Sequence, residues 1–99
     1  MPWTTKDPRF QKALMLVARW SAKRPELADR LERALFLVDS VRPTLHPDRY
    51  EVTSSSRRVV YTVRIDRRYR TSACNCPDNA KGNHCKHRLA TALYELVTR

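Results

Sequence analysis

The 99-residue chain has one glycine, Gly82, and few acidic residues. With a single glycine there is no Gly-rich loop to cradle a phosphate. The Asp and Glu residues are scattered singly, and no Ser/His/Asp grouping stands out, so no catalytic constellation is visible and the chain is expected not to be an enzyme. Long apolar runs are missing too. The longest, Ala13 to Ala18 and Ala34 to Val38, are far too short to span a bilayer. The start, Met1 to Asp7, has no apolar stretch behind it and does not read as a signal peptide. There are no internal repeats and no low-complexity tracts. Cysteine is limited to three residues, an odd count that argues against a disulfide framework and for a reducing compartment. The expected location is cytoplasmic, nucleoid-associated in a prokaryote and cytosolic or nuclear otherwise.

What is abundant is positive charge: 20 Lys and Arg against 10 Asp and Glu, a net +10. Residues 1–50 hold ten basic and six acidic side chains, and residues 51–99 hold ten and four, so the excess is +4 and then +6. A balance this basic points to a polyanionic partner, against the plainer reading that the charge serves solubility.

All three cysteines fall between Cys74 and His87, as Cys74-Asn75-Cys76, eight intervening residues, then Cys85-Lys86-His87. Three thiols and an imidazole form the soft four-ligand set that tetrahedral zinc prefers. A lone catalytic cysteine would need a base and an orienting group, which a Cys-x-Cys beside a Cys-x-His supplies poorly. The expected site is one structural Zn²⁺ on Cys74, Cys76, Cys85 and His87. With four protein ligands it leaves no open position to activate water. His84 could stand in for His87, but its adjacency to Cys85 makes the geometry awkward, and it reads as a solvated loop residue. His46, in a Pro-flanked loop, is expected to be neither ligand nor catalyst.

This spacing resembles the SWIM-type zinc finger, Cys-x-Cys followed by a variable gap and Cys-x-His. The flanks Cys76-Pro77-Asp78 and Cys85-Lys86-His87-Arg88-Leu89-Ala90 are similar to the family's own, as are the upstream strands Tyr50 to Ser54 and Val60 to Val63. The resemblance covers roughly residues 50 to 98. Asn79 stands where family members often carry an aromatic residue. The resemblance implies a DNA-binding or protein-interaction module of the kind found in proteins of transposition, chromatin remodelling, recombination and ubiquitin ligation.

The rest of the chain reads as α+β: two N-terminal amphipathic helices, then a small three-stranded antiparallel sheet, a zinc knuckle and a C-terminal helix. Asp7-Pro8 is an N-cap followed by proline at the first helical position, and the apolar period predicts a helix over 8–22. Leu27, Leu31, Ala34, Leu35 and Val38 predict a second over 25–40. Residues 41–49, with two prolines, read as a loop. Strands are predicted at 50–54, 59–66 and 69–74, with turns at Ser54 to Ser56 and at Lys81-Gly82-Asn83, and a last helix at 85–98. This divides the chain into a helical region, 1–43, and a finger domain, 44–99. Trp3 and Trp20 read as packing residues.

Arg57, Arg58, Arg64, Arg67, Arg68 and Arg70 cluster on the central hairpin, and Lys81, Lys86 and Arg88 surround the knuckle. Arginine's planar fork suits phosphate oxygens and guanine edges. The expectation is a zinc-stabilised protein that binds nucleic acid, DNA in particular, mainly through the phosphate backbone. The alternative is an adaptor that docks a larger recombination or transposition protein. Neither a membrane nor a small-molecule substrate is expected as a partner.

Overall fold

The computed structural model describes residues 4, 6–53, 59–68, 71–77 and 85–98. The turns expected at Ser54 to Ser56 and Lys81 to Asn83, together with Trp3, Asn79 and His84, lie outside these residues.

Helix α1 spans Pro8–Lys23 and begins as the sequence predicts. The Asp7 carboxylate accepts the Arg9 backbone N–H at 2.8 Å, and proline occupies the first turn, where a missing N–H costs nothing. Ala13 and Val17 are its buried residues. The predicted second helix over 25–40 is a composite instead. A 3₁₀ turn at Pro25–Leu27 leads into α2, Ala28–Leu35, and a second 3₁₀ turn covers Val38–Ser40. The physical reason lies in Leu37. A regular helix advances about 100° per residue, which would place Leu37 about 120° from Leu31 and off the buried face. Tight bonds from Leu37 N–H to Ala34 C=O (3.0 Å) and from Ser40 N–H to Leu37 C=O (2.8 Å) bring Leu37 and Val38 into the core and leave Phe36 outside.

The sheet has four strands rather than three, each pairing antiparallel with the next: β1 (Val41–Pro43), β2 (Arg49–Thr53), β3 (Val60–Asp66) and β4 (Thr71–Cys74). The additional strand, β1, lies in the segment read as a loop. Val41, fully buried, pairs opposite Val52, so burial of one apolar residue sets the register. Pro43 is tolerated because β1 is an edge strand, where no neighbour needs its missing N–H. Along β3 burial alternates: Val63 is buried and Tyr61 and Ile65 half-buried, while Val60 and Arg64 are exposed. Its partners Val52 and Cys74 are also buried, which defines one inward face.

Helix α3, Lys86–Thr98, packs against that face and also against α1 and α2. One hydrophobic cluster therefore runs from Ala13 and Val17 through Leu31, Leu35 and Leu93 to Val52 and Val63. Lys12 Nζ adds a polar tie, donating to the Leu96 carbonyl near the end of α3 (3.2 Å). Among the described residues, no helix is long and apolar enough to cross a membrane.

Candidate metal centre

Strand parity places the first ligand. Cys74 ends β4 on the inward face, opposite Val63, so its thiol points toward α3 rather than away from the protein. Asn75 then continues the pairing one step beyond the strand. Its backbone N–H donates to the Thr62 carbonyl (3.3 Å), and its side-chain Oδ1 accepts the Thr62 N–H (2.9 Å). This two-point clamp fixes the bend that carries Cys76 back under the sheet. From the other side, Cys85 immediately precedes α3, and its carbonyl accepts the Leu89 N–H (3.3 Å), the first bond of the helix. His87 lies within the first turn. Its own carbonyl accepts the Thr91 hydroxyl (2.9 Å), a buried bond within the same helix.

The four ligand atoms of Cys74, Cys76, Cys85 and His87 lie within 4.8 Å of one another, and all four residues are buried. A tetrahedral ion with metal–sulfur bonds of about 2.3 Å has sulfur–sulfur edges of about 3.8 Å, so the group is close to coordination spacing. Both ring nitrogens of His87 are buried without a hydrogen-bond partner among the described residues. Such a group is costly to bury unless something else satisfies it, and an ion at one nitrogen does so. The Tyr61 ring covers the imidazole, with centroids 4.8 Å apart and planes tilted by 47°.

The thiols are electrostatically coupled. Hydrogen bonding to Cys85, followed by desolvation, holds the Cys74 thiol well above its ordinary range. The same hydrogen bond, with Cys74, holds Cys85 below its ordinary range, with burial opposing. The donor set and its spacing fit a single metal site.

The basic residues are distributed less simply. Arg57, Arg58, Arg70 and Lys81 lie outside the described residues. Arg64 is exposed on the outward face of β3, opposite Arg49. Arg67 is held by two carboxylates: Nε meets Asp48 Oδ1 at 2.8 Å and Nη2 meets Glu95 Oε2 at 2.7 Å. Glu95 also accepts the Tyr50 hydroxyl (2.8 Å), so Arg67 joins the 47–48 loop, the end of β3 and α3. Replacing Arg67 therefore alters the fold as well as the charge. Arg68 donates its backbone N–H to Asp66 (3.1 Å). Arg88 Nε bonds Ser72 Oγ (2.9 Å), linking α3 to β4 beside the ligands, and Lys86 is half-buried at the start of α3.

Asn75, Tyr61, Thr91 and Ser72 are supporting residues that the sequence did not single out. Only Asn75 carried a readable signal, a short amide between two ligands at a strand end, a type that bonds readily to nearby backbone. Comparison with protein-family models, curated proteins and solved structures finds no match to this chain.

Proposed function

We propose that this chain is a zinc-stabilised nucleic-acid-binding protein of the SWIM-finger kind. It contacts mainly the phosphate backbone, of DNA in particular, and performs no chemistry of its own. The observation that carries the reading is the convergence of three buried thiols and one orphaned imidazole within 4.8 Å. Thiolate-rich Cys₃His sets favour zinc, and four protein ligands close the coordination sphere, which is the arrangement of a structural site rather than a catalytic one. Residues 51–99, the stretch of sequence that holds the four ligands, carry a charge excess of +6, supporting a polyanionic partner. Three thiolates with Zn²⁺ sum to −1, so the surroundings stay basic when the site is loaded. A reducing compartment suits the free thiols.

Elemental analysis should return one zinc per chain. Fluorescence anisotropy of the zinc-loaded protein against duplex DNA, single-stranded DNA and RNA should then show binding. With about five phosphates neutralised, log K falls against log salt with a slope of about −4 to −5. Chelation abolishes that binding. Absence of binding to every probe at low salt would overturn the nucleic-acid reading.

An adaptor reading is favoured by one feature. Leu14 and Met15 are 45% and 64% exposed on α1, apolar surface in an otherwise charged layer. Under that reading Met15→Gln breaks a protein complex in pull-downs while DNA binding is untouched.

A further inference from the structure

The outward face of the sheet carries two guanidinium groups placed against each other. In the β2–β3 register Arg49 lies directly opposite Arg64, and both are exposed. Directly opposed residues have Cβ atoms about 4.5–5.5 Å apart, and like charges there destabilise a sheet. Other arginines of the chain show what happens where acid is within reach: Arg9 pairs with Asp7, Arg24 with Glu26, and Arg67 with Asp48 and Glu95. Arg42, also on the outward face, sits opposite Glu51 and donates to the Asp39 and Val41 carbonyls. Among the described residues, the side chains of Arg49 and Arg64 have no such partner.

The ground beside them is hollow. The residue opposite Arg64 on its other side is Ala73, whose single methyl leaves space above β4. A concavity of about 640 Å³ opens there, between the 46–48 loop and the end of the β3–β4 hairpin. Among the described residues its charged lining comprises four arginines, at 49, 64, 67 and 68, and two aspartates, at 48 and 66, a net of four minus two, or +2. Asp48 is engaged by Arg67, and Asp66 accepts the Arg68 backbone N–H. Arg49 and Arg64 thus add positive charge to the hollow beside an Arg67 already held by carboxylates. Among the described residues the His46 imidazole is the one ring in the lining, and the paired guanidinium forks match a phosphate group.

We propose that Arg49 and Arg64 together clamp one backbone phosphodiester of a nucleic acid, making the outward face of the sheet a nucleic-acid contact surface distinct from the metal knuckle. This inference rests on the nucleic-acid reading above and adds Arg49 as a contact residue. The like-charge pair is retained because the ligand, absent from the free protein, neutralises it. Binding at this point is indifferent to sequence.

The test compares zinc-loaded wild type with Arg49→Gln/Arg64→Gln by anisotropy, using a fluorescent 20-nucleotide DNA as duplex and as single strand across a salt series. The double substitution is expected to weaken binding about tenfold on unrelated sequences and to make the salt slope shallower by about 1, the loss of one phosphate contact. Zinc content should stay at one per chain, and the melting temperature should be unchanged or higher, since repulsion has been removed. A control, Arg19→Gln/Arg33→Gln, removes the same charge from exposed positions on α1 and α2. It should leave the slope within a few tenths of wild type. Wild type that fails to bind would sink the nucleic-acid reading itself. Wild type that binds, with an unaltered Arg49/Arg64 variant or an equally impaired control, would overturn only the clamp. A polyglutamate of matched charge that binds wild type as tightly, and loses binding in the same variant, would overturn it too, by making the face a carboxylate site.

Discussion

The helical layer and the metal end of this protein are built on different physics. In the first, Ala13, Val17, Leu31, Ala34, Leu35, Leu37 and Val38 bury apolar area in regular stripes, and many small contacts share the work. In the second, three thiols and an imidazole are buried together, and the imidazole gains little from leaving water unless an ion joins it. A chain of this length buries only about 60–70% of its unfolded surface, so under the zinc reading coordination takes the place of part of the core. The difference also separates what a mutation does in each place, gradual loss in the first and collapse in the second.

Chelation is the largest perturbation. Apparent zinc-binding energies in finger peptides are about 10–16 kcal/mol and feed directly into folding. Because α3 joins both regions, EDTA should erase the far-UV circular dichroism of the whole chain in one transition. A helical signal persisting at full strength from residues 8–40 would break the idea of a shared core.

Leu31→Ala sharpens the same point from the opposite side. Leu31 is fully buried in α2, outside the ligand cluster, and the truncation should cost about 2–5 kcal/mol in denaturant melts. If the core is common, zinc release monitored with a chromophoric chelator shifts to lower denaturant together with the unfolding. Release at the wild-type concentration would separate the regions.

The clamp at Asn75 is a smaller lever. Its side chain supplies one hydrogen bond, with a net worth of about 1 kcal/mol. Asn75→Ala should therefore lower stability modestly but speed zinc exchange disproportionately, because Cys74 and Cys76 lose the strut between them. Equal exchange rates by competition with a colorimetric chelator would assign Asn75 to the sheet alone.

Tyr50→Phe should have the least effect at neutral pH. Burial, then the hydrogen bond to Glu95, raises the Tyr50 phenol above its ordinary 10.0. The neutral phenol is thus favoured in the folded state. Its contribution is complete below pH 10.0 and is lost as pH rises through the higher folded value, since the unfolded chain ionises first. Alkaline melts should show that loss in wild type and less of it in the phenylalanine variant.

The sequence was most legible where one local rule decided the outcome. Asp7-Pro8 marked the start of α1, the strand predicted over 59–66 matches β3, and the spacing of Cys74, Cys76, Cys85 and His87 anticipated a set of side chains that do converge. It was least legible where tertiary packing overrode local pattern. Val41–Pro43 reads as loop because it is three residues long and ends in proline, and only the buried partner Val52 makes it a strand. The helix read over 25–40 is interrupted because Leu37 is drawn inward against helical phase. Arg67 looked like one of a row of equivalent basic residues, yet its partners Asp48 and Glu95 lie 19 and 28 positions away. No linear pattern encodes that distance.

The placement of α3 has a consequence for synthesis. This helix touches α1, α2 and the sheet and supplies His87, yet it follows every one of those elements in the chain. While a ribosome is still making residues 1–84, the apolar stripes of α1 and α2 have no third wall and the thiols of Cys74 and Cys76 have only each other. The nascent polypeptide must therefore wait, with apolar surface open and thiols exposed to oxidants, until its final helix emerges. Under the zinc reading, metal capture and core closure become the same late event, and the interval before it is when aggregation threatens most.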